Sequence, residues 1–234
     1  MCQLPSPVLL PALTRSLASK SLSRIGIFGG TFDPVHIAHL RTAIELREAL
    51  ALDSINLLPC HKPSHRGAPG ASTAQRIRML ELSVEHVERL QIDRREAERN
   101  SPSYSVDTLA SYREEYPAAS LLLFMGMDAF NQFCSWYRWQ HILELAHLVV
   151  VDRPGSMLNC AEAQLLTDRQ VDTIDKLQSS AGSILLQSVT QFDVSATRIR
   201  QLVSQNRDIS YLVTDEVRRY INEQGLYSEP ESQT

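Results

Sequence analysis

The feature that most constrains how this chain folds is an alternation of short apolar runs with longer amphipathic stretches. Several runs are almost continuously apolar, as strands buried on both faces of a sheet should be. The six candidate strands are Arg24–Phe28, Ser54–Leu58, Leu90–Asp93, Leu121–Met125, His147–Asp152 and Ser183–Val189. Because strands that alternate with helices indicate parallel pairing, the pattern predicts an α/β fold built on a parallel sheet.

The stretches between these runs have helical periodicity. Helices are predicted over residues 37–51, 73–87 and 105–115, and as a pair over 128–145. Near the C terminus helix follows helix, and both of these last helices are expected to pack on the sheet. Ser195 is expected to cap the first, and Thr214 the second, which ends before Gly225.

Composition and charge limit the classes of protein to which this chain can belong. The net charge of -4 gives no basic field, so a nucleic-acid partner is not expected. No run approaches the roughly 20 apolar residues that span a bilayer, so no membrane partner is expected either. The 4 cysteines are scattered without a C-x-x-C pair, which disfavours disulfides and structural zinc and favours a reducing cytoplasm.

The first 23 residues differ from the rest, because three prolines interrupt their apolar residues and their basic residues come afterwards. They make a poor secretory signal. A basic, acid-free, Ser-rich leader is also compatible with a transit peptide. We expect a flexible extension over residues 1–23, a single domain over residues 24–228 and a frayed tail over residues 229–234.

A glycine turn lies between the first strand and the first helix, in the stretch Gly29–His39. Strand, glycine turn and helix place backbone N–H groups and a positive helix end against a phosphate. His36 and His39 are three residues apart, so they share one face of the helix start. The glycines fit neither G-x-G-x-x-G nor a Walker loop. The stretch predicts a nucleotide-phosphate site, and the plainer alternative is a capped helix with two surface histidines.

This stretch reads G-G-T-F-D-P-V-H-I-A-H and closely resembles the signature of the nucleotidyltransferase superfamily, whose H-x-x-H binds ATP phosphates. Within it, G-G-T-F-D-P-V-H resembles the bacterial nicotinate-nucleotide adenylyltransferases. The resemblance implies a Rossmann-like nucleotidyltransferase domain in which His36 and His39 are catalytic. Its implied ATP-binding residues here are Gly29, Gly30, Thr31, Phe32, His36 and His39. Ala38 replaces a usual glycine, and one methyl inside a helix should leave the site intact.

A second phosphate element is predicted at the start of the helix that Ser195 caps. Ser195 and Thr197 offer hydroxyls at a positive helix end, and Arg200 offers a fork that suits phosphate oxygens. The stretch resembles the family's S-S-T-x-I-R, with Ala196 in place of the second serine. The resemblance implies that Ser195 and Thr197 line the ATP site and that Arg200 is a catalytic residue on the outer phosphates. The alternative is an ordinary capped helix.

The segment P-S-Y-S-V-D-T-L resembles the family's P-S-Y-T-x-D-T-L, which implies that Tyr104 and Ser105 approach the acceptor's nicotinate carboxylate. The plainer interpretation is a helix N terminus capped by Ser103 or Ser105. Both can hold, because a helix N terminus also receives a carboxylate.

The spacing G-x-D-x₇-W also resembles the family, and it implies that Asp128 lies near ATP and that Trp136 stacks on the pyridine ring. An indole suits a flat, electron-poor ring. Core filling is the alternative, which we favour for Trp139 rather than Trp136.

Two basic segments complete the implied acceptor site. P-S-H-R resembles the family's P-P-H-R, which implies that the loop with His65 and Arg66 closes on the acceptor phosphate or on ATP; a solvated connector is the alternative. Arg153 follows a predicted strand in a position that resembles a substrate-side residue of the family.

The resemblance implies an enzyme that transfers the AMP moiety of ATP to nicotinate mononucleotide, giving deamido-NAD and pyrophosphate. No side chain need act as a nucleophile. Mg²⁺ is expected as the cofactor, held by ATP oxygens and water, because the sequence offers no dedicated carboxylate cage and no protein metal site. Asp33 is expected to shape the turn. The alternatives are another acceptor, nicotinamide mononucleotide or pantetheine phosphate, or a nucleotide sensor without turnover. The oligomeric state is left open.

Overall fold

The computed structural model describes residues 22–61, 69–99, 102–152, 158–177 and 179–228. The strands are β1 Arg24–Gly30, β2 Ser54–Pro59, β3 Leu90–Ile92, β4 Ser120–Gly126, β5 His147–Asp152, β6 Gln170–Val171 and β7 Ile184–Ser188. They form a 7-stranded sheet in the order β3-β2-β1-β4-β5-β7-β6, and every pairing is parallel. The predicted parallel α/β sheet is therefore confirmed.

The helices are α1 Ile37–Ala49, α2 Thr73–Val84, α3 Ser105–Glu115, α4 Met127–Phe130, α5 Trp139–Leu145, α6 Cys160–Arg169, α7 Ala196–Ser204 and α8 Asp215–Glu223. The predicted pair over 128–145 corresponds to α4 and α5, which are separated by a short 3₁₀ helix at Phe133–Ser135. The pair β6 and α6 was not predicted. Within the described ranges, no helix combines the length and the apolar character needed to cross a membrane.

The sheet has a hydrophobic core on each face, which explains why its strands are almost continuously apolar. Alternate residues of β4 divide between the two cores: Leu122 and Phe124 pack with α1, α2, α7 and α8, whereas Leu121 and Leu123 pack with α3, α5 and α6. The two C-terminal helices therefore pack on the sheet, as predicted.

Three of the predicted helix ends are confirmed, and one is wrong. Ser195 Oγ accepts the N–H of Arg198 at 3.3 Å, Thr214 Oγ1 accepts the N–H of Val217 at 3.4 Å, and Gly225 has φ 58°. By contrast, α3 begins after Tyr104 without a side-chain cap. Neither predicted serine caps it, because the hydroxyl of Ser103 accepts the N–H of His61 at 3.2 Å and Ser105 is already the first helical residue.

Candidate active site

A cavity of about 760 Å³ opens at the carboxyl ends of the strands. The chain passes outward from β1 to β3 and then returns to β4 on the other side of β1, so the strand order reverses at this point. Ligands of open α/β sheets bind in the crevice at such a reversal. The lining includes Phe28, Thr31, Phe32, His36, His39, Met125, Gly126, Val151, Ser195, Thr197 and Arg200.

The turn after β1 supports the ring of His39. A Cβ atom added to Gly30 would lie 2.9 Å from the Phe32 ring, so a glycine is needed for that ring to fold back. Phe32 has φ 50° and is almost fully buried, and its ring meets the His39 ring edge-on at 5.0 Å between centroids. Phe32 therefore contributes mainly by holding the histidine in place.

Asp33 ties the turn to two distant parts of the chain. Its carboxylate accepts the N–H groups of Gly70 at 2.7 Å and Ala71 at 3.0 Å, and the hydroxyl of Tyr227 at 2.7 Å. Burial, and then the Asp33 carboxylate, raise the pKa of Tyr227 well above its ordinary value, so its hydroxyl remains a donor. These bonds agree with the turn-shaping role expected for Asp33.

The two histidines form a stacked pair at the start of α1. Their ring centroids are 3.7 Å apart, and the backbone N–H of His36 donates to Nδ1 of His39 at 3.3 Å. Because Nδ1 accepts this bond, a neutral His39 carries its proton on Nε2. The cavity wall that includes His39 is thereby given a donor. Nδ1 of His36 is buried and has no hydrogen-bond partner among the described residues.

Both imidazoles are neutral in the free protein at pH 7. Burial lowers the pKa of His36 to about 4. Burial, followed by the neighbouring His36, lowers the pKa of His39 well below its ordinary value. Two positive charges in stacked rings would also repel each other. The two histidines are therefore neutral hydrogen-bonding groups whose orientation is held by their stacking.

Arg200 joins the two predicted phosphate elements. Its Nη1 donates to the backbone carbonyl of Asp33 at 2.7 Å, and its Nη2 donates to the hydroxyl of Thr197 at 3.3 Å. The side chain is still 34% exposed, and it lines the cavity together with Ser195 and Thr197. Elements 167 residues apart in the chain thus meet at one cavity, as the sequence analysis expected.

Three residues predicted to bind ATP, Gly29, Gly30 and Asp128, are not part of the cavity lining. Gly29 is on the exposed part of β1, where an added Cβ would meet nothing within 4 Å. Asp128 is exposed in the first turn of α4, next to Gly126, which does line the cavity. Their contact with ATP stays a prediction.

Aromatic side chains gather where the acceptor was predicted. The Tyr104 ring lies 4.7 Å from the ring of Tyr137, a neighbour that the sequence analysis missed. Trp136 and Trp139 are both half-buried against Phe133, at 5.6 Å and 5.8 Å between centroids. Tyr104 and Trp136 border the same hydrophobic core, and Ser105 opens α3 beside them. Stacking of Trp136 on a substrate stays a prediction.

The three basic residues predicted on the acceptor side, His65, Arg66 and Arg153, lie outside the described residues.

A fully buried arginine supports the floor of the site and was missed from sequence. Arg76 donates to the carbonyl of Thr31 at 2.7 Å and to the hydroxyl of Thr73 at 3.0 Å, and that hydroxyl also contacts Nδ1 of His61 at 3.0 Å. Burial lowers the pKa of Arg76. Its position three residues before the buried Met79, on the apolar stripe of α2, is the signal that could have revealed it.

Comparison with known proteins decides the family. A protein of Acidithiobacillus ferrooxidans named "Probable nicotinate-nucleotide adenylyltransferase" is 43% identical over 208 residues, which cover 87% of this chain and 95% of the relative. A protein of the same name from Pseudomonas paraeruginosa is 45% identical over 210 residues, covering 88% and 98%. This chain belongs to the nicotinate-nucleotide adenylyltransferase family.

Broader comparisons agree with this membership. The Cytidylyltransferase-like family model matches residues 27–202. The structure of Plasmodium falciparum nicotinic acid mononucleotide adenylyltransferase complexed with NaAD superimposes with a TM-score of 0.68 at 16% identity, covering 88% of this chain and 97% of that one. At this identity the likeness shows the fold, and the expected Rossmann-like architecture is confirmed.

The described lining of the cavity offers hydrogen-bond donors and carries one charged side chain of each sign, which lie 3.7 Å apart. Among the described residues that line it, Arg200 is the one guanidinium and Asp33 the one carboxylate. Three hydrogen bonds already occupy that carboxylate. In the described ranges, no group of three or more His, Cys, Asp or Glu side chains is arranged to hold a metal.

Proposed function

We propose that this protein transfers the AMP moiety of ATP to nicotinate mononucleotide, giving deamido-NAD and pyrophosphate, a step of NAD biosynthesis. The observation that carries the proposal is the junction of His36, His39 and Arg200 at one cavity through the Asp33 turn. Membership of the family, whose members are named for this activity, supports it. We also propose a cytoplasmic location, in keeping with the scattered cysteines.

The reaction balances without a covalent enzyme intermediate. A phosphate oxygen of the mononucleotide forms a bond to the α-phosphorus of ATP, while the bond from that phosphorus to the β-bridging oxygen breaks. The electron pair of the broken bond leaves on pyrophosphate. In this proposal Nε2–H of His39 and the guanidinium of Arg200 donate to the oxygens on which the negative charge grows, and the protein contributes orientation and charge stabilisation.

The residues that line the cavity are compatible with a Mg²⁺ ion that arrives with ATP. Because Asp33 is occupied by Gly70, Ala71 and Tyr227, it has little capacity left for a metal. Phosphate oxygens and water would then hold the ion. Bound there, Mg²⁺ would supply partial neutralisation of the phosphate charge.

The test is an assay of pyrophosphate release with ATP and Mg²⁺, in which nicotinate mononucleotide, nicotinamide mononucleotide and pantetheine phosphate are separate acceptors. We expect release with a preference for nicotinate mononucleotide, deamido-NAD as the second product, and loss of activity on addition of EDTA. A clear preference for the amide would show that the segment around Tyr104 and Ser105 had been misinterpreted. Release with none of the three acceptors would favour a nucleotide sensor without turnover.

A further inference from the structure

A buried hydrogen-bond chain lies beneath the predicted acceptor site. Thr108, in the first turns of α3, is 1% exposed, and its hydroxyl donates to the carboxylate of Glu96 at 2.8 Å. The same hydroxyl accepts from Nη2 of Arg99 at 2.6 Å. Glu96 is itself only 6% exposed. Thr108 and its two partners belong neither to the phosphate elements nor to the aromatic cluster.

These hydrogen bonds link residues on either side of the predicted acceptor residues. Arg99 and Thr108 are nine residues apart, and Tyr104 and Ser105 lie between them. The bond between their side chains therefore restrains both ends of this segment at once. Arg99 is held in turn because its Nε donates to the carbonyl of Arg95 at 3.2 Å. The start of α3 has no side-chain cap. The hydrogen bonds of Thr108 with Glu96 and Arg99 therefore restrain the helix start in place of a cap.

We propose that Thr108, through Glu96 and Arg99, is a positioning residue that sets the place of Tyr104 and Ser105 and thereby the affinity for the mononucleotide acceptor. This inference rests on the proposed function. It concerns one substrate only, because none of the three residues lines the cavity of the phosphate elements.

A purely structural role for the chain is the competing explanation, and the protein offers a matched control for it. Ser111, one turn further along α3, donates to the carbonyl of Thr108 at 2.8 Å and accepts from Nη1 of Arg95 at 2.9 Å. Its hydroxyl therefore ties the same helix to the same preceding loop, but away from Tyr104. Loss of helix anchoring alone should affect Ser111 and Thr108 variants alike.

The experiment compares four variants of the full chain. Thr108→Val removes the hydroxyl at nearly constant volume, and Thr108→Ser keeps it. Arg99→Met removes the donor of a half-buried side chain while keeping an apolar stem, so it carries less risk of misfolding. Ser111→Ala is the control. Steady-state kinetics give separate KM values for ATP and acceptor, and thermal melting confirms that each variant folds.

Direct binding provides a second readout that needs no turnover. The chain has 2 tryptophans, Trp136 and Trp139, and both lie in the acceptor region. Titration with nicotinate mononucleotide, followed by tryptophan fluorescence, therefore measures the acceptor Kd directly.

We expect Thr108→Val and Arg99→Met to raise the KM and Kd for the acceptor about tenfold, the effect of losing one hydrogen bond's worth of preorganisation. The KM for ATP should change by less than about twofold, and Thr108→Ser and Ser111→Ala should stay near wild type. An equal rise for Ser111→Ala, a parallel rise in both KM values, or no rise would overturn the inference while leaving the function intact.

Failure of the proposed function is recognised separately. If the wild type turns over no acceptor but nicotinate mononucleotide still quenches fluorescence, a weaker quench in Thr108→Val upholds the positioning role and an unchanged quench overturns it. If the wild type neither turns over an acceptor nor shows any quench, the inference is overturned together with the function.

Discussion

A matched pair of substitutions separates an observed contact of His39 from the role proposed for it. Its Nδ1 accepts the N–H of His36 at the start of α1, whereas its Nε2 is the atom proposed to donate to the phosphates. The amide oxygen of asparagine reaches about as far as Nδ1, and the amide nitrogen of glutamine about as far as Nε2. His39→Asn therefore keeps the acceptor at the helix start and loses the donor, whereas His39→Gln keeps the donor.

The size of the effect follows from these contacts. Loss of one preorganised donor at a site of developing charge lowers kcat by about 10²–10³, or about 3–4 kcal/mol. Loss of the ring removes the stacking on His36 and the edge contact with Phe32, each worth about 0.5–1.5 kcal/mol of folding stability. We expect His39→Asn and His39→Ala to lower kcat at least about 10²-fold, and His39→Gln to stay within about tenfold of wild type.

The assay is steady-state pyrophosphate release with both substrates varied, together with thermal melting of each variant. Because all three variants lose the same ring contacts, melting separates their effect on folding from the effect on chemistry. A near-wild-type kcat for His39→Asn would remove His39 from the mechanism. Equal losses in the Asn and Gln variants would refute the assignment of the reactive proton to Nε2.

Three further predictions follow from the same contacts. Tyr227→Phe deletes the hydroxyl that donates to Asp33, and urea denaturation should show a loss of about 2 kcal/mol, as for hydrogen bonds to charged groups; an unchanged midpoint would contradict this. Arg200→Lys cannot reproduce the fork that reaches both Asp33 and Thr197, so kcat/KM for ATP should fall at least about tenfold while the acceptor Kd is unchanged; an equal loss for both substrates would contradict a phosphate role. The pKa of His36 falls from 6.5 to about 4 on folding, so its stabilising contribution is complete above pH 6.5 and is lost as the pH falls towards about 4. Urea denaturation across this range should show a loss to which His36 contributes about 3 kcal/mol, so His36→Asn should reduce the loss by that amount while the part due to His39 remains; an unchanged slope in that variant would assign the loss to other groups.

Features with a local cause could be predicted from the sequence, and features with a tertiary cause could not. The cap of Ser195 on Arg198 and the glycine at residue 225 depend on neighbours within one turn, and both predictions are confirmed. The bond between Asp33 and Tyr227 joins residues 194 apart, and it exists because the sheet and the C-terminal helix bring them together. No local pattern marks Tyr227, which lies just before the predicted tail.

The wrongly predicted cap of α3 shows that a tertiary contact can override a local pattern within a few residues. Ser103 and Ser105 are both good capping residues, and the pattern correctly located the helix start. The hydroxyl of Ser103 instead accepts the N–H of His61, from the loop after β2. Helix α6 was missed for another reason: its buried apolar residues are Leu165 and Leu166, which are adjacent and define no helical stripe.

The charge of the cavity bears on how the site favours the transition state over bound ATP. Among the described lining residues, Arg200 supplies the one permanent positive charge, while burial keeps His36 and His39 neutral. A hydrogen bond strengthens as its acceptor gains charge, and bonds to ionised acceptors are roughly twice as strong as neutral ones. The bridging oxygen gains charge only as the bond to the α-phosphorus breaks, so the neutral donor proposed at His39 would stabilise the transition state more than the ground state. A permanent cation there would also bind ATP and pyrophosphate tightly, which lowers KM without the same gain in kcat. The buried, stacked histidine pair is therefore better suited to turnover than two lysines at the same positions.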